Sequence, residues 1–297
     1  MMGLFIANES KQKLGGGFVF IDNLKKGAKD VARIVPNWQD AHGILIPSVT
    51  MVNRKVIEDV MAYNQHKPDS RKKIILRVDN MPKDSRNRGT AFSRMKDYGM
   101  WADEIAFQSK WARDYVGGWL EHKHKVDSSK FHTILNGVDT EFFNYNDEPK
   151  KRGDTFIFTT FNTDENKRID EALYDFHRRS MYAQRANKPI PFLKLVGNFD
   201  KYRVEYGFDF FGDERVQYYP PISDRKEMAK MYRSCQYLYF PAFADAAPNT
   251  VAEAMACGCT PLLINKVGGT QEVVDNYSKK TITIQEMAQQ YCELVRS

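Results

Sequence analysis

Features that mark membrane-spanning and secreted proteins are missing from this sequence of 297 residues. The longest stretch without Asp, Glu, Lys or Arg has 13 residues, 41–53, whereas a membrane-spanning helix needs about 18 apolar residues. Residues 1–12 contain no basic segment followed by an apolar one, the pattern of a secretory signal. The four cysteines form no CxxC pair, which favours reduced thiols. We therefore expect a cytoplasmic chain without a membrane span.

Disorder is excluded as well, because aromatic residues make up 13% of the chain. Basic residues outnumber acidic ones, 44 to 38, and the excess is uneven: +5 over 1–150 and +1 over 151–297. Within 65–96 the balance is +7. A positive field of this kind favours an anionic partner such as nucleic acid, a phospholipid surface or an anionic glycan. A solvated surface without a partner is the alternative.

Strand-like runs alternate with helix-like segments along the whole chain. Apolar residues at 169, 172, 173 and 176, and again at 228, 231, 232 and 235, follow the spacing of one helix face. Further helices are predicted over 55–66 and 110–121. The alternation predicts an α/β fold with parallel sheets covered by helices on both faces. The predicted strands are 4–8, 44–52, 73–78, 104–107, 131–135, 155–161, 192–197, 215–219, 236–240 and 260–264.

A polar stretch with Pro and Gly, 144–154, predicts a linker between two such sheets. The expected domains are an N-terminal, acceptor-side domain over 1–147 and a C-terminal, nucleotide-sugar-binding domain over 148–282. A final helix, 283–297, is expected to pack back on the first domain.

The segment 245–258 is the most informative in the sequence, because it joins a predicted strand to a short helix. Thr250 and Glu253 fit a capping box, and Gly258 fits the position after the helix end. A helix that begins at the carboxyl end of a parallel strand is also an anion site. After the next strand, Gly268 and Gly269 form a loop that we expect to face the same crevice. Capping and ligand binding both remain open for Glu253.

The run 245–272 resembles the donor-site signature of the retaining GT-B glycosyltransferases of the family 4 type, the glycosyl transferases group 1. That signature has two acidic residues separated by seven others, a Glu-Ala-Met-Ala-Cys-Gly helix, and a Gly-Gly loop with a later Glu. Asp245 departs from it by standing where Glu is commoner, and it is one methylene shorter. The retained residues are Pro248, Asn249, Glu253, Ala254, Cys257, Gly258, Gly268, Gly269 and Glu272.

Three other segments carry the same resemblance. Residues 134–139 with Phe142 resemble the end of the family's first domain, 166–173 resemble the first helix of its second domain, and 15–17 resemble its N-terminal glycine loop. The Gly-Arg that usually precedes the lysine of the second domain is absent, and Phe161-Asn162 stand in its place. We expect Arg168 to supply the missing positive charge.

The resemblance implies a GT-B fold, in which two Rossmann-like, doubly wound parallel-sheet domains face a central crevice. It implies retaining transfer of a sugar from a nucleotide-diphosphate sugar, with a UDP-sugar as the expected donor. Glu253 is then expected to bind the ribose, Asp245 the sugar and Lys167 the diphosphate. The implied catalytic residues are Asp79, Lys167 and Asp245. The implied donor-binding residues are Gly15, Gly16, Gly17, Asn162, Lys167, Arg168, Asp245, Asn249, Thr250, Val251, Glu253, Gly268 and Gly269.

No metal and no further cofactor are expected, because the sequence contains no Asp-x-Asp motif. Lys167, Arg168 and the amides of 249–251 are expected to neutralise the leaving diphosphate instead. Basic residues at a helix start oppose the helix dipole unless an anion is bound there. Asp79, at the end of the strand 73–78, is expected to steady positive charge at the anomeric carbon. A turn or capping role is the alternative for Asp79.

The acceptor is predicted from the basic segment 65–96. Short basic members of such transferases occur in phages and glycosylate hydroxymethylated bases of the viral DNA, so this resemblance implies double-stranded DNA as acceptor in the host cytoplasm. A cell-surface glycan or a lipid-linked saccharide is the alternative acceptor. A non-catalytic nucleic-acid-binding protein and a nucleotide-sugar epimerase are alternatives from other classes. The residues predicted to contact nucleic acid are Arg71, Lys72, Lys73, Lys83, Arg86 and Arg88.

Overall fold

The computed structural model describes residues 1–8, 15–79, 89–145, 153–160, 165–199, 213–265 and 267–297. The chain forms two compact units: residues 1–137 with 282–297, and residues 138–281. Each unit has one parallel sheet with helices, which confirms the predicted α/β class. Part of the predicted linker, 146–152, lies outside the described residues.

The sheet of the first unit has six parallel strands in the order β2-β1-β3-β4-β5-β6. Its central strands are continuous apolar runs, such as Ile74 to Leu76, because helices cover both faces of the sheet. The strands are β1 (Met2–Ile6), β2 (Ala32–Ile34), β3 (Gly43–Ile46), β4 (Lys73–Val78), β5 (Glu104–Phe107) and β6 (Phe131–Thr133).

The helices of the first unit include the C-terminal helix of the chain, which packs on the first helix. Phe20 and Tyr291 meet edge to face, with ring centroids 5.4 Å apart. Gly27 permits this approach, because a Cβ there would lie 2.2 Å from the carbonyl oxygen of Ile284. The helices are α1 (Gly16–Gly27), α2 (Arg54–His66), α3 (Gly89–Trp101), α4 (Lys110–Ala112), α5 (Gly118–His124) and, at the C-terminus, α10 (Ile284–Arg296). Short 3-10 turns cover Trp38–Asp40, Pro68–Ser70 and Ser128–Lys130.

The sheet of the second unit has five parallel strands in the order β11-β10-β7-β8-β9. Its strands are β7 (Thr155–Thr160), β8 (Phe192–Gly197), β9 (Val216–Tyr219), β10 (Tyr237–Phe240) and β11 (Thr260–Leu263). Its helices are α6 (Ile169–Arg185), α7 (Arg225–Arg233), α8 (Asn249–Ala256) and α9 (Thr270–Tyr277), with a 3-10 turn at Glu165–Lys167. The predicted apolar face of α6 is confirmed, since Ile169, Ala172, Leu173 and Phe176 are buried against Phe156 and Phe158.

Two predicted elements differ from the structure, and one strand was not predicted. The predicted strand 44–52 was wrong beyond Ile46, where β3 ends. The loop that follows also buries apolar residues, Val49 and Val52, so the sequence of the strand and the loop looks like one continuous apolar stretch. Strand β2 was missed because it has only three residues. The predicted helix 110–121 is interrupted by a π-helical turn, Arg113–Gly117, where a Cβ on Gly117 would lie 3.0 Å from the Phe131 ring.

Among the described helices, none is both long and apolar enough to cross a membrane.

Candidate functional site

The candidate site of the second unit lies where its strand order reverses. From β7 the chain continues to β8 on one side, and from β10 it continues to β11 on the other side. Loops at the carboxyl ends of two such strands diverge, and open α/β sheets bind ligands in the crevice between them. Lys167 follows β7 and Asp245 follows β10, so both predicted residues lie at this switch point.

The structure brings Lys167 and Asp245 together, although they are 78 residues apart in sequence. Lys167 Nζ lies 3.4 Å from Asp245 Oδ2 and 5.8 Å from the centroid of the Phe240 ring. The amide of Phe243 donates to the carbonyl of Asn166 over 3.0 Å, which ties the two loops. The side chains of Lys167 and Asp245 are 27% and 24% exposed, so a ligand can reach both charges.

Backbone strain flanks this ion pair. Arg168 and Ala244 have positive φ values of 49° and 53°. The other described non-glycine residues with positive φ, Lys125 and Asn187, directly follow helices, where the left-handed conformation is common. A strained residue costs about 1–3 kcal/mol and is found most often at functional sites. The strain therefore adds to the case for a site at Lys167 and Asp245.

Arg168 lies next to Lys167, but its guanidinium turns onto its own helix. It forms an ion pair with Glu171 and lies 3.8 Å from Asp170 Oδ1. Glu171 Oε2 also accepts a hydrogen bond of 2.7 Å from the side-chain amide, Nδ2, of Asn265, in the loop after β11. The structure thus gives Arg168 acidic partners within the first turn of α6. Asn162, the other residue predicted here, lies outside the described residues.

The loop at Gly268 and Gly269 is adjacent to Asp245. Asp245 and Gly268 form a parallel bridge, and the amide of Gly269 donates to the carbonyl of Asp245 over 2.8 Å. Gly268 has a φ of +105°, and a Cβ there would lie 2.5 Å from the Asp245 carbonyl oxygen. Glycine is therefore required at this position both for its conformation and for the close approach.

Helix α8 begins at Asn249, two residues earlier than the capping box requires. Its N-cap is Pro248, and among the described residues no side chain caps it, so the predicted capping box of Thr250 with Glu253 was wrong. Thr250 lies within the first turn, where its hydroxyl cannot act as the cap. The amide of Val251 donates to the Pro248 carbonyl over 3.2 Å. Asn249, Thr250 and Val251 still form the helix start that faces the switch point.

The predicted stop at Gly258 is confirmed. Gly258 has a φ of +80°, and the amides of Gly258 and Cys259 donate to the carbonyls of Met255 and Ala254 over 2.8 and 2.9 Å. This pairing ends the helix after Ala256. Glu253 consequently lies one turn before a fixed helix end.

Glu253 has two charged neighbours that the sequence analysis did not assign to the site. Its Oε1 lies 4.0 Å from Arg225 Nη2, and Arg225 Nη1 lies 3.4 Å from Oδ2 of the buried Asp139. Burial raises the pKa of Glu253 to about 7, the Arg225 charge opposes this rise, and Asp139 adds to it. A carboxyl group without a capping role, half-buried at 15% exposure, is well placed to bind a ligand.

In the first unit, Asp79 follows the end of β4 and lies near a buried arginine. Arg77 is 2% exposed, with its Nη1 3.9 Å from Asp79 Oδ2. Its guanidinium stacks 3.9 Å from the centroid of the Phe20 ring and donates to the Pro47 carbonyl over 3.0 Å and to Asn136 Oδ1 over 3.3 Å. These contacts keep the positively charged Arg77 guanidinium close to the Asp79 carboxylate.

The glycine loop lies beside Asp79. Gly15, with a φ of +125°, is the N-cap of α1, which begins at Gly16. A Cβ on Gly17 would lie 2.7 Å from Met51 Sδ and 3.9 Å from Asp79 Oδ2. The start of α1 and the carboxylate therefore meet at the switch point between β1 and β3, where the order of the first sheet reverses.

Three described basic residues of 65–96, namely Arg71, Lys72 and Lys73, do not lie near Asp79. Arg71 forms an ion pair with Asp103, Lys73 lies 2.9 Å from Glu104 Oε1, and Lys72 donates to the carbonyl of Gln39 over 2.9 Å. Lys73 is the first residue of β4 and Asp79 follows its last residue, so the two are separated by the length of the strand, roughly 20 Å. The structure therefore does not bring these three residues to Asp79. Lys83, Arg86 and Arg88 lie outside the described residues.

No cluster of three or more His, Cys, Asp or Glu that could hold a metal ion occurs within the part of the chain that the structure describes.

Comparison with known proteins places these observations in a family. Residues 145–297 match the family model described as glycosyl transferases group 1. No curated protein matches the sequence.

Solved structures show the fold. HepE from Anabaena, in complex with UDP-glucose, has a TM-score of 0.65 at 13% identity, over 99% of this chain and 95% of that chain. Sucrose-phosphate synthase from Thermosynechococcus elongatus has a TM-score of 0.60 at 13% identity, over 100% and 94%. WaaG, a glycosyltransferase of lipopolysaccharide biosynthesis, has a TM-score of 0.62 at 9% identity, over 100% and 91%. The two parallel-sheet units are those of the GT-B fold, as predicted.

Proposed function

The chain belongs to the glycosyl transferases group 1, and from this premise we propose that it transfers a sugar, with retention of configuration, from a UDP-sugar to a hydroxyl acceptor. The observation that carries the proposal is the Lys167–Asp245 pair, 3.4 Å apart at the switch point of the second sheet. The family 4 type is part of the same proposal. Support for the UDP-sugar comes from HepE, which has been crystallised with UDP-glucose.

Each donor group has a residue of matching chemistry in the second unit. Glu253 accepts hydrogen bonds from the ribose hydroxyls, as a carboxylate does from paired hydroxyl groups. Asp245 accepts from the sugar hydroxyls. Lys167 and the start of α8 bind the diphosphate, where the ammonium charge and the helix dipole both favour an anion.

In the reaction, the bond between the anomeric carbon and the diphosphate oxygen breaks, and the diphosphate gains negative charge. Lys167 and the start of α8 stabilise that charge without a metal ion. The acceptor oxygen bonds to the anomeric carbon on the face that the diphosphate leaves, and its proton moves to a leaving phosphate oxygen. Retention follows because attack and departure take place on one face. Asp79, backed by Arg77, stabilises the positive charge at the anomeric carbon.

The proposed acceptor is a hydroxymethylated pyrimidine in double-stranded phage DNA. The +7 balance of 65–96 supports an anionic acceptor. Because Arg71, Lys72 and Lys73 lie at the opposite end of β4 from Asp79, the contacts would fall to Lys83, Arg86 and Arg88. A saccharide acceptor, either a cell-surface glycan or a lipid-linked one, is the competing candidate, and the experiment below distinguishes the two.

The donor is tested with a panel of UDP-, ADP-, GDP- and dTDP-sugars, and release of the nucleotide is measured with and without duplex DNA that contains 5-hydroxymethylcytosine. Lys167→Ala is expected to lower the rate about 100-fold, the effect of losing one preorganised charge. Lys188→Ala is the matched control, because Lys188 follows the other end of α6, roughly 25 Å away, and should leave the rate unchanged. Equal rates in the two variants would contradict the role of Lys167.

The acceptor is tested by mass spectrometry of the nucleosides from that DNA. A hexose or pentose mass increment on the base is the expected result. Charge reversal at Arg86 and Arg88 should reduce DNA glycosylation and leave donor hydrolysis intact, whereas charge reversal at the exposed Arg33 and Lys123, outside 65–96, should change neither. Absence of any increment, together with transfer to a lipid-linked or soluble glycan, would refute the DNA acceptor and leave the transferase proposal standing.

A further inference from the structure

Three charged side chains from separate elements of the second unit meet behind the proposed ribose site. Asp139 directly precedes the turn at 140–142, Arg225 is the first residue of α7, and Glu253 lies in α8. The Arg225 guanidinium lies between the two carboxylates, 3.4 Å from Asp139 Oδ2 and 4.0 Å from Glu253 Oε1. The Arg225 guanidinium therefore interacts with both carboxylates.

Aromatic rings fix the position of this cation. The guanidinium carbon of Arg225 lies 5.5 Å from the ring centroid of Phe142 and 5.3 Å from that of Phe143. Asp224 caps α7 by accepting a hydrogen bond of 2.9 Å from the Glu227 amide. A cation at the first position of a helix opposes the helix dipole, at a cost of about 0.3–1 kcal/mol. Helix stability therefore does not explain why Arg225 is placed there.

The two carboxylates compete for the charge of Arg225, and Asp139 is the closer. Asp139 also accepts a hydrogen bond of 3.3 Å from the amide of Glu141. Glu253 receives the weaker share, and burial holds its pKa at about 7. Among the described residues, Tyr232 of α7 also interacts electrostatically with Glu253; burial raises the pKa of Tyr232 well above its usual value, so its phenol remains neutral.

We propose that Arg225 is a positioning residue for donor binding, and that its division between Asp139 and Glu253 sets both the orientation and the charge of Glu253. This inference rests on the proposed role of Glu253 in binding the ribose. Ribose hydroxyls donate to an ionised carboxylate, so donor affinity rises as Glu253 loses its proton near neutral pH. Removal of Arg225 weakens donor binding and shifts this rise to higher pH. Removal of the Asp139 charge leaves Arg225 to Glu253 and shifts the rise to lower pH.

Two measurements test the coupling. The first is an NMR titration of the Glu253 side-chain carbon in the protein alone, which requires no ligand. The second is calorimetric binding of UDP-glucose between pH 5.5 and 8.5, because its diphosphate diester does not titrate in this range. Both are made on the wild type, Arg225→Gln, Arg225→Lys and Asp139→Asn, and UDP-glucose binding is also measured on Glu253→Gln. Lys226→Gln is the matched control, since it removes the neighbouring exposed cation on the same helix.

Arg225→Gln is expected to weaken UDP-glucose binding at pH 7 about tenfold or more and to raise the Glu253 midpoint by at least one pH unit. Asp139→Asn is expected to lower that midpoint, Arg225→Lys to restore it in part, and Lys226→Gln to leave it unchanged. Asp139→Asn keeps the shape of the side chain and therefore tests the coupling even where Arg225→Gln fails to fold.

Midpoints that are equal in the wild type and Asp139→Asn, or a fall in Arg225→Gln, would overturn this inference. If instead the midpoints shift as expected while UDP-glucose binds equally well to Glu253→Gln and wild type, the coupling stands and the ribose role of Glu253 fails. The two failures are therefore distinguishable.

Discussion

Replacement of Gly268 by alanine should displace the Asp245 loop. Gly268 has a φ of +105°, which side chains other than glycine rarely adopt, and a residue held in such a conformation costs about 1–3 kcal/mol. The new Cβ would also lie 2.5 Å from the Asp245 carbonyl oxygen and 2.9 Å from its amide nitrogen. Because both atoms belong to the backbone, the clash can be relieved only if the Asp245 loop moves.

The loss of unfolding free energy is expected to be about 2 kcal/mol or more. At about 2–4 °C per kcal/mol, the melting temperature should fall by roughly 4–8 °C. Movement of Asp245 should also separate its carboxylate from Lys167 Nζ and from the proposed sugar site. Loss of one such contact, about 1.4 kcal/mol, weakens donor binding about tenfold.

Gly153→Ala is the matched control. Gly153 also has a positive φ, +51°, but no described atom lies within 4 Å of the position its Cβ would take. It should therefore cost about 1–2 kcal/mol of stability through backbone strain alone, with unchanged donor affinity. Thermal melting and calorimetric titration with UDP-glucose measure the two effects. Wild-type donor affinity in Gly268→Ala would refute the link between this loop and the donor site.

Three further predictions concern the second unit and the C-terminal helix. Thr250→Ala should change the unfolding free energy by less than about 0.5 kcal/mol, because Thr250 does not cap α8. Thr283→Ala removes the capping box that Thr283 forms with Glu286 at the start of α10, and it should cost about 1 kcal/mol in denaturant titration. Equal losses in the two variants would indicate that Thr250 does cap its helix. Turnover should persist in excess chelator; a loss that magnesium or manganese restores would contradict charge stabilisation by Lys167. Because the pKa of Glu253 is raised to about 7 in the folded state, the folded protein holds a proton that the unfolded chain has lost, so stability should fall between about pH 4.5 and 7, by up to about 3 kcal/mol. Glu253→Gln should flatten that fall, and an unchanged pH profile would argue against a half-buried Glu253 that binds a proton in the folded state.

The architecture could be predicted because it depends on local patterns. Parallel strands buried on both faces are short apolar runs, and α6 shows one apolar face at helical spacing. The same reasoning failed over 47–52, because an apolar run does not distinguish a buried loop from a strand. It failed at Thr250 because the capping-box pattern ignores Pro248, which takes the N-cap position itself, so that the helix begins two residues earlier.

The donor loop could be predicted for the same reason, since Asp245, Glu253 and Gly268 follow one another at short spacing. Their partners could not be predicted in this way. Lys167 is 78 residues from Asp245, and Arg225 is 86 residues from Asp139, so only the folded sheet reveals either pair. A signal for Arg225 was nevertheless present, because a basic residue follows Asp224 at a helix start, against the dipole.

That signal indicates an anion at a helix start, but it does not identify the anion. At Arg225 the anions are the protein's own carboxylates, Asp139 and Glu253. At Arg168 they are again internal, since Glu171 and Asp170 occupy the guanidinium within the first turn of α6. Lys167 differs from both arginines, because its partner Asp245 is itself proposed to bind the sugar of the donor. A bound diphosphate can therefore attract the Lys167 ammonium group away from Asp245. The charge that neutralises the leaving group is therefore expected to come from Lys167 and the start of α8, and Arg168 is not expected to supply it, because its guanidinium contacts Glu171 and Asp170.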